Sequence, residues 1–372
     1  MGLRGLVATL GTAAAVATAC GSAPPAERSR PTPSPATSPD PLVYIGQMAQ
    51  VLPKDAIPSI DDPRFVTARE ATVWLAGREP VVSLEVAGDA RAYPVQILTR
   101  HEIVNDEVGD VPVAVTYCPL CNSALAFERE AGGRILEFGT SGMLYRSALV
   151  MYDRQTGTLW THFDGLAVNG PLTGSRLAIL PTQLLSFDRW RRDYPDGRVL
   201  SPETGHPVDY GTNPYEGYDS QEGPYSQFFP QAVNYRLPPM ARVVGVSAGG
   251  EDVAYPYRDL SPPDAGAGLL EDRGRGVVVF WMEGTASALD TPVIAEGRDV
   301  GATGVFDPDG RTFAIRDNRI VDRETGSTWS ITGRAVEGPE RGARLEPVVH
   351  LDAFWFAWQA YRPDTLVYGV DA

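Results

Sequence analysis

The feature that most constrains this chain is an internal repeat, because each copy of a repeated unit has to bury its own hydrophobic face. Residues 81–94 begin with a Val-Val pair and end in Ala-Tyr-Pro, and so do residues 243–256. Farther along, residues 153–157 read Asp-Arg-Gln-Thr-Gly and residues 322–326 read Asp-Arg-Glu-Thr-Gly. These matches, in the same order in both copies, predict two homologous units at roughly residues 80–200 and 240–372.

The local pattern inside each unit favours strands. Val111–Thr116 and Val277–Trp281 are runs of β-branched and aromatic residues with Gly and Pro nearby. The Asp-Arg-x-Thr-Gly motif supplies a turn between two such runs. The chain also contains 38 Gly and 32 Pro, which suits many short strands. The prediction is a mainly β or α+β fold, with two homologous strand-rich repeats packed as one large or two adjoining domains.

Three segments carry apolar residues at helical spacing and are predicted as helices. They are Asn122–Glu130, Thr182–Tyr194 and Leu351–Tyr361. Residues 201–239 are rich in Gly, Pro, Tyr and Ser. This composition predicts a long, ordered connecting segment between the two units.

The N-terminus has the pattern of a targeting segment. A positive start at Arg4 precedes an apolar stretch from Gly5 to Val16, which is too short to span a bilayer. The small residues Ala17–Ala19 then precede Cys20, as in a lipobox. The pattern predicts a lipoprotein signal peptide over residues 1–19 and a lipid on Cys20. The alternative is an ordinary secretory signal that is cleaved nearby.

Both alternatives place the protein outside the cytoplasm. The lipoprotein reading predicts a cell-envelope protein, held at the outer face of the membrane by its lipid. Residues 20–41 are rich in Pro and Ser and predict a semi-extended tether. The remaining chain divides into a first repeat with the Cys-x-x-Cys site at 42–200, the connecting segment at 201–239 and a second, degenerate repeat at 240–372.

The net charge of −15 argues against a nucleic-acid partner, because phosphate binding depends on clustered Lys and Arg. The sequence identifies no protein partner. It also shows no Gly-rich phosphate loop, nucleophile elbow or paired-carboxylate signature. Whether the protein is an enzyme is left open at this stage.

The chemistry of the chain is expected at Cys118 and Cys121, in the sequence Thr-Tyr-Cys-Pro-Leu-Cys-Asn. Two intervening residues allow both sulfur atoms to face one point from a tight turn. That geometry suits a soft metal ion or a reversible disulfide. A plain stabilising disulfide is the third possibility, and it is natural in an oxidising compartment.

The second repeat serves as an internal control for this site. Aligning residues 123–125 with residues 287–289, both Ser-Ala-Leu, places Met282 opposite Cys118 and Thr285 opposite Cys121. The second copy therefore lacks the thiols. Two of the four histidines, His101 and His162, also belong to the first repeat. The predicted metal ligands are accordingly Cys118, Cys121, His101 and His162, with copper or zinc as the ion.

Several motifs of the first repeat together resemble a known family. They are Ala-Ile-Pro-Ser-Ile-Asp-Asp-Pro at 56–63, His-Glu-Ile-Val-Asn-Asp at 101–106, Val-Thr-Tyr-Cys-Pro-Leu-Cys at 115–121 and Phe-Gly-Thr-Ser-Gly at 138–142. They resemble the bacterial family called domain of unknown function 3179, closely over residues 50–200. The resemblance implies an extracytoplasmic protein, often a lipoprotein, with His101 and the Cys pair inside the family signature. It also implies that Gln is common at the place of His162, and it names no reaction.

Three functions are consistent with these features. The leading hypothesis is a cell-envelope lipoprotein that binds a thiophilic metal ion through the Cys pair and His101. The first alternative is an extracytoplasmic thiol–disulfide oxidoreductase, in which an exposed, low-pKa Cys118 attacks and Cys121 resolves the mixed disulfide. The second alternative is a membrane-tethered binding module in which the two cysteines form a structural disulfide.

Overall fold

The computed structural model describes residues 1–2, 46–248, 250–261 and 266–371. The predicted signal peptide, the lipidation site Cys20 and the tether therefore lie outside the described residues, apart from the first two. Residues from 46 onward belong to one compact unit. Among the residues described, no helix has the length and apolar character needed to cross a membrane.

The first half of the chain forms three main sheets and a small hairpin. In chain order its strands are β1 Met48–Gln50, β2 Phe65–Thr67, β3 Pro80–Val86, β4 Asp89–Pro94, β5 Ile103–Val108, β6 Val111–Cys118, β7 Ser123–Glu128, β8 Glu130–Ala131, β9 Arg134–Ile135, β10 Phe138–Tyr145, β11 Ala148–Asp153, β12 Leu159–Thr161, β13 Ala167–Asn169, β14 Ile179–Leu180, β15 Thr182–Ser186 and β16 Arg198–Leu200. The main sheets have the orders β15-β3-β4-β16-β2, β14-β7-β6-β5 and β1-β10-β11-β12-β13. Strands β8 and β9 form the small hairpin.

The second half forms three further sheets. Its strands are β17 Arg242–Ala248, β18 Glu251–Pro256, β19 Ala267–Asp272, β20 Val277–Met282, β21 Ala302–Asp307, β22 Phe313–Arg316, β23 Arg319–Asp322, β24 Thr328–Trp329, β25 Ala335–Glu337, β26 Glu346–Pro347, β27 His350–Phe354 and β28 Leu366–Val367. The orders are β27-β17-β18-β28, β19-β20-β21-β26 and β22-β23-β24-β25. The predicted strand-rich fold is confirmed.

Helices are short and few in the described part of the chain. They are α1 Ala68–Ala71, α2 Val95–His101, α3 Phe187–Asp193, α4 Tyr257–Leu260 and α5 Trp355–Tyr361, with 3-10 turns at Tyr218–Ser220 and Ile294–Glu296. Each of these helices directly follows a strand of one of the two sheets that contain β3 or β17. Residues 201–239 contain one of the 3-10 turns and no described strand.

The sheets of the two halves correspond in strand order. Strands β15-β3-β4-β16 match β27-β17-β18-β28, β14-β7-β6-β5 match β26-β21-β20-β19, and β10 to β13 match β22 to β25. The central hairpins also share a register, since Val81 pairs with Pro94 and Val243 with Pro256. Common ancestry of the halves stays a prediction. The structure adds that they use one topology.

The three helix predictions need correction. Asn122–Glu130 is mostly strand β7, which pairs along β6. Thr182–Tyr194 and Leu351–Tyr361 also begin as strand, and only their last parts form α3 and α5. The early residues of both segments pair with central hairpins, through β15 with β3 and β27 with β17. Sheet pairing has overridden the helical spacing of their apolar residues.

One part of the predicted repeat alignment is also wrong. In the first half Cys118 pairs with Ser123 across a turn at residues 119–122. In the second half Met282 pairs with Ala302, and the two strands are joined by a long loop at residues 283–301. Met282 does correspond to Cys118 in strand position, but the residue that corresponds to Ser123 is Ala302. The Ser-Ala-Leu sequence at 287–289 lies in the loop.

The two halves share their hydrophobic cores. One buried cluster contains Phe127 and Trp160 of the first half together with Trp355 of the second. Another combines Trp190 with Trp329. Because burial of aromatic side chains contributes strongly to stability, neither half keeps its full core without the other.

Candidate functional site

The two cysteines lie at the tip of the β6–β7 hairpin. Cys121 donates its backbone N–H to the carbonyl of Cys118 at 3.3 Å, and Asn122 donates to Pro119 at 3.1 Å. Asn122 has a left-handed backbone, with φ of 51°. Both thiols are free, and Cys118 donates an S–H hydrogen bond to Cys121 across 3.4 Å. This turn therefore brings the two sulfur atoms together.

A second turn faces the sulfur atoms. The carbonyl oxygen of Ser147 lies 3.3 Å from the sulfur of Cys121 and 3.8 Å from that of Cys118. Ser147 and Arg146 connect β10 to β11 with φ of 67° and 51°. Such values are uncommon for residues other than Gly, Asn and Asp. The thiols thus contact a backbone carbonyl held in a strained turn.

Two buried polar atoms beside the thiols have no hydrogen-bond partner within the described residues. They are the Nδ2 atom of Asn122 and the hydroxyl of Ser147. Buried polar groups are normally satisfied, and backbone strain tends to collect at functional sites. Packing alone does not explain this combination of strain and unmet hydrogen bonding around one pair of thiols.

His162 is connected to the thiols by hydrogen bonds. Its Nε2 lies 2.8 Å from the hydroxyl of Thr116, which donates its only proton to the carbonyl of Leu125 at 3.0 Å. The hydroxyl of Thr116 must therefore accept, so the proton of the neutral ring is on Nε2. The Ser123 hydroxyl lies 3.4 Å from the Nδ1 of His162 and also hydrogen-bonds Cys121, and its single proton is donated to one of the two at a time. Burial lowers the pKa of His162 to about 3, so the ring stays neutral at ordinary pH.

His101 has other partners. Its Nδ1 donates to the carbonyl of Pro58 at 2.7 Å, and its Nε2 accepts from the hydroxyl of Tyr210 at 2.6 Å. Burial lowers the pKa of His101, the hydrogen bond to Pro58 opposes this, and nearby His206 lowers it further. Both ring nitrogens are thus already engaged away from the thiols.

The four predicted metal ligands do not form one compact donor set. The structure brings Cys118 and Cys121 into contact and links His162 to them through Ser123. It ties His101 to Pro58 and Tyr210 instead. Across the described ranges no group of three or more His, Cys, Asp or Glu side chains is arranged to hold a metal ion. A four-ligand zinc centre would require these hydrogen bonds to break.

The sequence profile of one family, described as a protein of unknown function (DUF3179), matches residues 54–365. The chain belongs to the DUF3179 family. The match covers both halves and so extends beyond residues 50–200, over which the motifs resemble the family closely. No curated protein and no solved structure matches the chain.

Both thiols of this DUF3179 protein are buried, with 1% of Cys118 and 0% of Cys121 exposed. Desolvation raises the pKa of Cys121, and its interactions with the neighbouring Cys118 and with Glu102 raise it further. Cys118 is therefore not the exposed nucleophile that the oxidoreductase hypothesis assumed. Any reaction at the pair requires a small reagent or a local opening of the turn.

Glu102 is a site residue that the sequence analysis did not single out. It follows helix α2 with φ of 60° and ψ of −32°. Its N–H donates to Leu98 at 2.7 Å and its carbonyl accepts from Tyr117 at 2.9 Å. Its side chain is half-buried, and burial raises its pKa to about 7. The signal for this residue was its place directly after His101 in a family motif.

Glu102 also lines a cavity of about 260 Å³. Leu120, which lies between the two cysteines in sequence, forms part of the same wall. Val51 and Leu52 line the cavity while 36% and 40% exposed, so the cavity reaches the surface of the DUF3179 protein. The two cysteines do not line it.

Proposed function

We propose that this DUF3179 chain is a cell-envelope redox protein whose Cys118–Cys121 pair cycles between dithiol and disulfide. The observation that carries the proposal is the 3.4 Å separation of the two free thiol sulfur atoms. A disulfide bond is about 2.05 Å long. Closing it requires an approach of roughly 1.4 Å, which side-chain rotation and a small shift of the turn at 119–122 supply.

The chemical step is thiol–disulfide exchange with a disulfide-bearing molecule. One thiol of the pair loses its proton and attacks the partner disulfide, which breaks and releases one thiol. The second cysteine then attacks the mixed disulfide, so the Cys118–Cys121 bond forms as the partner's second thiol leaves. Two electrons and two protons pass to the partner. The reverse sequence restores the dithiol.

The predicted location supports this proposal. The predicted signal peptide would direct the protein out of the cytoplasm, and the lipid on Cys20 would hold it at the outer face of the membrane. Disulfides form and persist in such oxidising compartments. The proposal therefore joins a sequence-based expectation of location to a pair of thiols within bonding reach.

A second candidate function, binding of copper(I), is supported by the contact between the two free sulfur atoms. Copper(I) prefers soft thiolate ligands, and two of them would leave the hydrogen bonds of His101 and His162 intact. Zinc is less suited here, because a structural zinc site requires four ligands.

The test is to measure the redox state of the pair in the full-length protein, purified without oxygen. The protein is equilibrated in buffers with graded ratios of reduced to oxidised glutathione. Its free thiols are then blocked with a maleimide, and the protein is digested. Mass spectrometry then counts blocked thiols on the peptide with Cys118 and Cys121, apart from Cys20. We expect one two-electron transition, which is lost in the Cys118→Ser and Cys121→Ser variants and kept in Thr285→Ser.

Three results would contradict the proposal. A disulfide that stays closed in every buffer, with a potential below about −300 mV, is a structural bridge. Thiols that stay reduced in every buffer have a structural role and no redox role. Stoichiometric copper that protects both thiols from the maleimide, and is lost in both cysteine variants, would establish the second candidate function.

A further inference from the structure

We infer that the cavity beside Leu120 is a binding site for a small organic cation with an apolar body. The cavity is about 260 Å³ in volume and is lined mainly by aliphatic and aromatic side chains. Of the described residues that line it, Glu102 alone is charged. This inference concerns the cavity itself and does not depend on redox chemistry at the thiols.

The first support is the conformation of Glu102. A residue with positive φ at the end of a helix is normally Gly or Asn, because a Cβ atom is unfavourable there. Glu102 occupies this position with φ of 60°. Backbone hydrogen bonds to Leu98 and from Tyr117 hold it there. Glycine would adopt this backbone conformation at a lower energetic cost, so the presence of the Glu102 side chain needs another explanation.

The second support is the absence of a partner for its carboxyl group. Within the part of the chain that the structure describes, no side chain or backbone group donates a hydrogen bond to the Glu102 carboxyl, and no Arg or Lys forms an ion pair with it. A carboxylate in apolar surroundings is costly unless something neutralises it. A ligand ammonium group would supply both the charge and the hydrogen bonds.

The third support is the aromatic wall. Tyr215, Tyr225 and Phe228 line the cavity, and the rings of Tyr225 and Phe228 meet edge to face at 6.0 Å. Aromatic faces attract cations. All three belong to the connecting segment at 201–239, so this segment completes the site from a distant part of the chain.

The size of the cavity limits the ligand. An apolar cavity of about 150 Å³ holds benzene, so 260 Å³ has room for one ring with a short chain. Met143 and Leu120 contribute apolar parts of the cavity wall. The expected ligand is a primary amine on an aryl or branched alkyl body.

The test uses three probes of one shape and different charge, which are phenethylammonium, phenethyl alcohol and phenylpropionate. Calorimetric titration of the full-length protein at pH 8 measures each affinity. We expect phenethylammonium to bind at least about tenfold more tightly than the alcohol, and phenylpropionate not to bind. In Glu102→Gln the two affinities should come within about threefold of each other. In the matched control Glu130→Gln, an exposed carboxyl outside the cavity, they should not change.

Leu52→Trp provides a second variant if Glu102→Gln fails to fold. Leu52 is a half-exposed residue of the cavity lining, and its replacement by Trp should block the binding of all three probes. The control is Val73→Trp, at a position that is 88% exposed and does not line the cavity, and it should block none of them. Cys118→Ser should keep the binding, which separates this inference from the redox proposal. Equal binding of ammonium and alcohol, preserved ammonium preference in Glu102→Gln, or no binding of any probe would each overturn the inference.

Discussion

The two halves of this protein use one arrangement of strands and differ most at a single turn. In the first half residues 119–122 form the tight turn that carries the thiols, while residues 283–301 form a long loop at the corresponding place. The turn that faces the thiols also differs between the halves, in its residue types and not in its backbone angles. Arg146 and Ser147 have φ of 51° and 67°, and their counterparts Asp317 and Asn318 have 50° and 58°.

Asp and Asn tolerate this left-handed backbone better than other non-glycine residues do. The second half therefore builds the turn from suitable residues, and the first half builds it from Arg and Ser, at the point where a carbonyl touches the thiols. The difference separates scaffold from site. What the halves share is architecture, and at the β10–β11 turn the first half departs from the easier residues beside Cys118 and Cys121.

The shared Asp-Arg-x-Thr-Gly motif shows the architectural side of this comparison. Asp153 accepts hydrogen bonds from the backbone of Thr156 at 2.6 Å and from the indole of Trp160 at 2.9 Å. Asp322 accepts the same bonds from Thr325 and Trp329 at the same distances. Each carboxylate ties a turn to a buried tryptophan.

The largest expected effect tests whether this motif is equally structural in both halves. Asp153→Ala and Asp322→Ala each leave a buried indole N–H and a turn N–H unsatisfied, at about 1–3 kcal/mol per group. We expect each variant to lower the free energy of unfolding by about 3 kcal/mol, measured by urea denaturation. Asp62→Ala, at an exposed position, is the control and should change little. A strong effect in one half alone would mean that the motif has another role in that half.

The next prediction concerns His162, which has no histidine counterpart in the second half. Its folded pKa of about 3 lies below its ordinary value of 6.5, so the unfolded chain binds the proton more readily. Stability is therefore complete above pH 6.5 and is lost as the pH falls towards 3. At pH 5 the loss is about 2 kcal/mol.

His162→Gln should remove this loss. The Gln amide can donate to Thr116 and accept from Ser123 without titrating. Denaturation at pH 8 should then find the variant within about 1 kcal/mol of the natural chain, and at pH 5 the variant should be the more stable by about 2 kcal/mol. His206→Gln, at a half-exposed position, is the control. An unchanged pH profile in His162→Gln would show that His162 is not the buried neutral group described above.

Sequence reasoning predicted the local features of this fold and missed those that depend on distant contacts. The strands at Val111–Thr116 and Val277–Trp281 and the two turns of the shared motif follow from short stretches of sequence, and the structure contains them. The early parts of Thr182–Tyr194 and Leu351–Tyr361 were misassigned, because their partners β3 and β17 lie about one hundred residues away in the chain.

The candidate site shows the same limit. Proximity of Cys118 and Cys121 follows from two-residue spacing. The partners of His101 do not follow from spacing, because Tyr210 comes from the connecting segment. The cavity at Glu102 is closed by Tyr215 and Tyr225 of that segment as well. The spacing of apolar residues does not predict where an irregular segment packs.

The smallest expected effect tests the comparison of the two turns directly. Ser147→Gly removes a Cβ from a left-handed residue and a buried hydroxyl without a partner in the described structure. These gains exceed the entropy cost of glycine, so we expect the free energy of unfolding to rise by about 1 kcal/mol.

The matched variant in the second half is Asn318→Gly. Asn already tolerates its φ of 58°, so only the entropy cost of glycine remains, and stability should stay the same or fall by about 0.5 kcal/mol. Because Ser147→Gly also loosens the carbonyl that contacts both sulfur atoms, it should shift the redox transition of the thiols, and Asn318→Gly should not. If both variants change stability alike and neither shifts the transition, the Arg146–Ser147 turn is an ordinary turn and the contrast between the halves has no bearing on the site.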